Sequence, residues 1–493
     1  MRSRLVVAAA VSGLGAGLLS ACQPPYKPSQ PVAWVDDTSS FSAPAPPSAG
    51  PIADRYRDTA AKIIAFARAD RGAWAKLAQL ADQIGHRLSG SPELDRAIAW
   101  AVQAMKSDGH DVRTEPVMVP HWVRGVEEGA VVAPVVRTLK LIGLGGTVPT
   151  PKGGITAPVV VVRSWDELEA SADRVKGAIV LYDVAMPAWT EDKGSGYGDV
   201  APFRTRGPSR AAKLGAAAVL MRSVTARSLR SPHTGALSYD PALPKIPAAA
   251  VTVEDAEQIA RLAAAGPVTV RLRLESQQLP DAPSANVLGE LRGRELPDEV
   301  VVIGAHLDSW DVGQGAHDDG AGCVTMMQAL TVLRRLGLQP RRTIRVVLFT
   351  NEENGLRGGR AYAETHRDEL GKTVLAVEAD AGGFPPRGFS LEAKPEVAPR
   401  ALARLQQIVS LYRPGLGPLH ARAGHGGADI SPMVPAGVPT VGLEVDGRLY
   451  FDYHHSEADT LDKVDPVHLA DDVAAVAVLA FVAADLPERL DAP

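Results

Sequence analysis

The chain is poor in cysteine and has no excess of positive charge. Two cysteines in 493 residues exclude a framework of disulfide bonds. The 52 basic and 57 acidic residues nearly balance, leaving a net charge of -5 with no long basic run, so nothing indicates nucleic acid as a partner. The composition is otherwise that of a globular protein with 45% hydrophobic residues, long enough for two domains and a sizeable core.

The N-terminus, "MRSRLVVAAAVSGLGAGLLSAC", combines two arginines with an apolar stretch and a run of small residues. A spanning helix needs about 20 strongly apolar residues, so residues 1–21 are predicted to be a secretory signal. The sequence from Leu19 to Cys22 resembles the lipobox of bacterial lipoproteins, in which the cysteine is lipidated. This resemblance implies export and a lipid anchor at Cys22, facing outside the cytoplasm, on the membrane of a bacterial cell envelope. A plain secretion signal with an incidental cysteine is the alternative.

Four further segments follow along the chain. Residues 22–52 are rich in proline and small polar residues and are predicted to form an extended tether. Residues 53–124 show helical periodicity and then a strand, and form the first part of the main domain. Short apolar runs separated by glycine and proline predict a β-rich inserted domain at residues 125–284. Residues 285–493 then form the second part of the main domain.

The second part of the main domain alternates apolar strands with amphipathic helices. Examples of the strands are "EVVVIGA", "TIRVVLFT", "KTVLAVEA" and "VPTVGLEV". Alternation of this kind predicts an α/β fold with a mostly parallel sheet and helices on both faces.

Polar side chains follow each of these strands, where the chain leaves the sheet. They are His306, Asp308, Asp318, Glu352, Glu353, Asp380, His454 and His455. Any one of them taken alone could be a solvated loop residue. Imidazole and carboxylate groups at four strand ends along one edge instead favour a metal site, and zinc suits this combination of ligands.

The motifs "HLDSW", "DDG", "NEENG", "EAD" and "HHSEADT" resemble those of the zinc-dependent exopeptidases of the M28 metallopeptidase family. The stretches "HRLSGSPELDRAIAWAVQAMKSDG", "PHWVRG" and "SWDVGQGAHDDGAG" are similar to the carboxypeptidase Q group of that family. The resemblance runs from about residue 55 to the C-terminus and is weakest across the inserted domain. It implies the zinc exopeptidase fold, a protease-associated domain at residues 125–284, and a homodimer.

The resemblance also implies two Zn²⁺ ions per chain and a role for each site residue. His306 and Asp380 would hold one ion, Glu353 and His455 the other, and Asp318 would bridge the two. Glu352 matches the general base, which must take a proton from the attacking water and pass it to the leaving amine. The family has a cis peptide after the bridging aspartate.

Three further residues receive less definite roles from the resemblance. Asp308 matches the carboxylate that orients the first histidine. His454 could donate a hydrogen bond to the developing oxyanion or simply pack, and Asp429 is expected to line or organise the substrate pocket. The implied substrates are dipeptides or the terminal residues of short peptides, with amino and carboxyl polarity both open.

Two other functions are compatible with this fold. One is a single-zinc aminoacyltransferase of the glutaminyl cyclase type, and the other is a metal-free binding protein that resembles the transferrin receptor. The presence of all five ligand-type residues and of Glu352 argues against both. Metal content separates the three functions, because they require two ions, one ion or none.

Overall fold

The computed structural model describes residues 50–191 and 193–492. The predicted signal, Cys22 and nearly all of the predicted tether lie outside the described residues. The helices are α1 (Pro51–Ala69), α2 (Gly72–Gln79), α3 (Pro92–Ser107), α4 (Trp165–Ala170), α5 (Ala172–Val175), α6 (Tyr197–Lys213), α7 (Val253–Ala265), α8 (Ala321–Arg335), α9 (Arg357–Thr365), α10 (Ala398–Val409), α11 (Tyr450–Tyr453) and α12 (Pro466–Asp485).

The strands form two eight-stranded sheets. They are β1 (Asp111–Val123), β2 (Glu127–Ala133), β3 (Arg137–Thr138), β4 (Leu141–Gly143), β5 (Ile155–Val162), β6 (Ile179–Tyr182), β7 (Ala218–Arg222), β8 (Ala248–Val251), β9 (Thr269–Leu274), β10 (Gln277–Leu291), β11 (Leu296–His306), β12 (Arg342–Phe349), β13 (Thr373–Glu378), β14 (Pro386–Glu392), β15 (His420–Ala423) and β16 (Thr440–Val445).

The first sheet has the strand order β1-β10-β12-β11-β13-β16-β14-β15. Its centre is parallel, since β12, β11, β13 and β16 all run in the same direction. Strand β10 is antiparallel to both β1 and β12, and β14 is antiparallel to β16 and parallel to β15. His306 at the end of β11 pairs with Phe349 at the end of β12. The segments that follow the parallel strands therefore meet at one edge of the sheet.

Helices cover both faces of this sheet, which confirms an α/β fold. On one face α1, α8 and α12 pack together over the apolar residues of β11 and β12. The other face carries a smaller core that includes Tyr362 of α9. By length and hydropathy α12 could cross a membrane, but 83% of its most apolar window is buried inside the protein. The apolar surface of α12 is therefore buried in the core of this domain.

The second sheet lies between residues 127 and 274, with the order β3-β2-β9-β5-β6-β7-β8-β4. Apolar clusters cover it on both sides. Strand β10 pairs with β1 from Gln277 onward and runs without a break past residue 284, where the sequence pattern places the end of the insertion. The return to the first sheet is therefore a single long strand, whose exposed first half lacks the apolar pattern of its second half.

Candidate metal centre

The ring of His306 is oriented so that its Nε2 atom faces two aspartate carboxylates. Its Nδ1 lies 3.0 Å from the backbone carbonyl oxygen of Asp308. A carbonyl oxygen can only accept, so Nδ1 carries a hydrogen, and in the neutral ring Nε2 is left with its lone pair for a metal. That Nε2 lies 3.2 Å from Oδ1 of Asp318 and 3.3 Å from Oδ1 of Asp380.

Asp318 links this group to a second one. Its Oδ2 lies 3.2 Å from Nε2 of His455, and the same nitrogen lies 3.0 Å from Oε2 of Glu353. Nε2 of His454 lies somewhat farther from Oδ2 of Asp318, at 3.6 Å. The peptide bond between Asp318 and Asp319 is cis, as the resemblance implies. The two oxygens of one carboxylate thus face two separate groups of ligand atoms.

The separations fit zinc. Zinc bonds to nitrogen and oxygen are about 2.0–2.2 Å long, so two ligand atoms of one tetrahedral ion lie about 3.3 Å apart. The four closest contacts, at 3.0–3.3 Å, match this spacing. Nε2 of His306 and Oδ2 of Asp318 are buried without a hydrogen-bond partner in the described part of the chain. Buried polar atoms without partners are costly, and cations bound beside His306 and beside His455 would satisfy them.

The charge of the region also favours a bound cation. Seven carboxylate residues are buried at or around the cluster, namely Asp308, Asp318, Asp319, Glu353, Glu378, Asp429 and Asp459. The fully buried Arg87 adds one positive charge among them. Burial, followed by the charge of Asp318, raises the pKa of Glu353 to about 7. Burial alone would lower the pKa of His455, but the Glu353 carboxylate and Asp318 raise it to about 10.

The loop that carries the two glutamates is fixed by the Asp308 carboxylate. This carboxylate accepts from the backbone N–H groups of Glu352 (3.0 Å) and Glu353 (3.4 Å). It lies 3.9 Å from Nδ1 of His306, so the ring is oriented by the backbone carbonyl of Asp308 and not by its side chain. Ser89 donates to the same carboxylate and accepts from the side-chain amide of Asn351.

The guanidinium of Arg87 fixes the loop between His306 and Asp318. It donates to four backbone carbonyl oxygens, those of Gly85, Leu307, Gln314 and Gly315, at 2.7–2.9 Å. A buried arginine satisfied by carbonyl groups acts as a rigid support for the backbone it contacts. Arg87 thus connects the segment between α2 and α3 to the loop that delivers Asp318.

Glu352, His454 and Asp429 are also singled out in the sequence, and each has different surroundings near the cluster. Burial, followed by the charges of Asp380 and Glu353, raises the pKa of the half-buried Glu352 well above its usual range. The ring of His454 stacks on that of His455, with 3.5 Å between centroids. Asp429 is fully buried, and neither carboxylate oxygen has a hydrogen-bond partner among the described residues. It is therefore not exposed on an open pocket wall.

Several residues that shape the site carry no distinct signal of their own in the sequence. Asp459 accepts from the backbone N–H groups of His317 and Asp318, at 2.7 and 3.1 Å. Ser89 and Arg87 belong to "HRLSGSP" and Asp459 to "HHSEADT", so both motifs contain more of the site than the metal-ligand pattern reveals. His233 of the inserted segment also contacts the region.

Comparisons with known proteins agree with this geometry. The sequence profile of Peptidase family M28 matches residues 286–480. Carboxypeptidase Q of Mus musculus is 39% identical over 440 residues, which cover 88% of this chain and 91% of that protein.

Two solved structures share the fold. The crystal structure of a Peptidase M28 precursor from Shewanella amazonensis superposes with a TM-score of 0.84 at 36% identity, covering 89% of this chain and 99% of that chain. A zinc aminopeptidase from Bacillus subtilis superposes with a TM-score of 0.62 at 20% identity, covering 85% and 96%, and shows the fold alone. The present chain therefore belongs to Peptidase family M28 and is a metallo-exopeptidase.

Proposed function

We propose that this protein is a di-zinc exopeptidase that hydrolyses dipeptides or removes terminal residues from short peptides. The observation that carries the proposal is the position of Asp318, whose two oxygens each lie 3.2 Å from a different histidine nitrogen. His306 and Asp380 are proposed to hold one ion, and Glu353 and His455 the other. When bound, the ions would supply a nucleophilic water at neutral pH, polarise the scissile carbonyl and offset the negative charge of the carboxylates.

Glu352 is proposed to move the proton. It is adjacent to the ligand Glu353, but the glutamate whose side chain contacts His455 within the cluster is Glu353 and not Glu352. A carboxylate beside the ligands and outside the ligand set can accept a proton from the attacking water and return it to the departing amine. The hydrogen bond from the Glu352 N–H to Asp308 fixes the backbone at this residue.

The inserted segment is proposed to be a protease-associated domain. Its sheet and two apolar cores are separate from those of the main domain. Carboxypeptidase Q is 39% identical over a stretch that covers 88% of this chain. This similarity extends well beyond residues 286–480, which the family profile matches, and it supports peptide substrates for the whole protein.

Metal content and a peptide panel test this function together. We expect about two zinc ions per chain by elemental analysis. Dipeptides and short peptides with free and blocked ends should then show which terminus is required. One ion with cyclisation of glutaminyl peptides would support the cyclase alternative. No metal and no hydrolysis would support the binding-protein alternative.

A lipid anchor at Cys22 is proposed to hold the enzyme at the outer side of a bacterial membrane. Wild-type protein produced in a bacterium that processes lipoproteins should partition into a detergent phase, and Cys22→Ser should move to the aqueous phase. Cys323→Ala is the matched control, because Cys323 is buried in α8 and should not affect partitioning. Wild-type protein found in the aqueous phase would contradict the anchor.

A further inference from the structure

The two histidines of the metal cluster are oriented in different ways. A metal-bound histidine usually donates its second ring N–H to a carbonyl or carboxylate, which fixes the ring. His306 does so through Nδ1 and the carbonyl of Asp308. Nδ1 of His455 is buried and has no hydrogen-bond partner within residues 50–191 and 193–492. The orientation of His455 must therefore come from its backbone and from the rings packed beside it.

That backbone has an uncommon conformation. His455 has a φ of +59°, in the left-handed region, which residues with a side chain rarely adopt. Such a conformation is unfavourable and persists only where surrounding contacts impose it. A change in this φ angle would turn the ring away from Asp318 and Glu353, because the backbone and the side chain of His455 both leave from its α-carbon.

Two hydrogen bonds to this backbone come from the inserted segment. Nδ1 of His233 lies 2.7 Å from the carbonyl oxygen of His454, and the backbone N–H of Thr234 donates to the carbonyl oxygen of His455 at 2.9 Å. The carbonyl of His454 can only accept, so His233 donates. The two hydrogen bonds hold the peptide groups on either side of the His455 α-carbon.

His233 and Thr234 are themselves firmly anchored in the second sheet. The backbone N–H of His233 donates to Oγ of Ser223 at 2.9 Å, and that hydroxyl donates to the carbonyl of Val251 in β8 at 2.7 Å. The hydroxyl of Thr234 donates to the carbonyl of Gly143 in β4 at 2.8 Å. Both residues are almost completely buried. The geometry of the second sheet is thereby transmitted to His455.

We infer that His233 and Thr234 are positioning residues for the metal ligand His455, so that the inserted domain completes the metal centre in addition to any part it plays in covering it. This inference rests on the proposed function, in which His455 is a zinc ligand. It gives the insertion a role in metal affinity.

The test compares two amide substitutions at one position. His233→Asn places an amide N–H close to the position of Nδ1, whereas His233→Gln carries its amide one carbon farther and cannot make the same bond. Loss of such a supporting contact weakens metal binding about 10- to 100-fold. We expect this loss for His233→Gln and near wild-type affinity for His233→Asn. Zinc affinity is measured on metal-free protein by competition with a chromogenic chelator.

The control is His110→Gln. His110 is also buried, and its Nε2 lies 3.0 Å from the hydroxyl of Thr331 in α8, away from the cluster. The His110→Gln variant should have lower thermal stability and an unchanged zinc affinity. If His233→Gln is insoluble, Ser223→Ala carries the same test, because it removes the acceptor for the His233 N–H and should also weaken zinc binding.

The two levels of the proposal fail in different ways. A folded wild-type protein that binds no zinc would contradict the proposed function. Wild-type protein with two zinc ions, combined with unchanged affinity in His233→Gln or in its substitute Ser223→Ala, would overturn this inference alone.

Discussion

Glu352→Gln is expected to bind two zinc ions as the wild type does and to hydrolyse dipeptides at least about a hundredfold more slowly. The substitution keeps the shape of the side chain and the backbone hydrogen bond to Asp308. It removes the ability to accept a proton, and loss of a general base typically costs about 10²- to 10⁴-fold in rate. Turnover and metal content should be measured on the same preparation.

Glu353→Gln is the matched comparison, since it makes the same chemical change at the next residue. Oε2 of Glu353 lies 3.0 Å from Nε2 of His455, within the cluster. Replacing this anionic group with a neutral amide should weaken metal binding itself. The assignment of roles is wrong if Glu352→Gln turns over at a near-normal rate, or if it loses metal while Glu353→Gln retains it.

Asp318→Asn should lower the occupancy of both zinc positions and reduce hydrolysis to background. The reason is that each carboxylate oxygen faces a different histidine, so one substitution weakens two sets of ligands. Elemental analysis would give the total zinc per chain, and a titration of zinc into metal-free protein would resolve the two sites by their affinities.

Asp311→Asn is a suitable control for Asp318→Asn. Asp311 lies in the same loop, but it forms an ion pair with Arg124 at 2.7 Å and not with the cluster. It should retain both metals. Full occupancy of one position in Asp318→Asn, with only the other lost, would exclude the bridging role.

The sequence predicts the central strands and the polar side chains at their ends because both depend on local pattern. A short apolar run rich in β-branched residues, such as that of β11, favours a buried strand, and the residues after it then emerge at the sheet edge. The four parallel strands then bring His306, Glu353 and Asp380 to one region, as the alternation predicts.

Contacts between distant segments could not be predicted in this way. The Asp308 carboxylate accepts from the backbone of Glu352, although the family resemblance implies that it orients the His306 ring. The pairing of the long β10 with β1 determines where the insertion ends, and polar residues such as Gln277 give no sign of a strand. The support from Arg87 and His233 depends on tertiary packing alone.

Arg87 and Ser89 have a consequence for how the protein matures. They reach the metal centre across about 220 residues of chain, through the contacts with Leu307 and Asp308. Contacts between such distant residues form late, because the entropy of closing the intervening chain must be overcome first. We therefore expect affinity for zinc to arise only near the end of folding. Unfinished chains would then compete poorly for scarce metal, and bound zinc would mark molecules whose folding is complete.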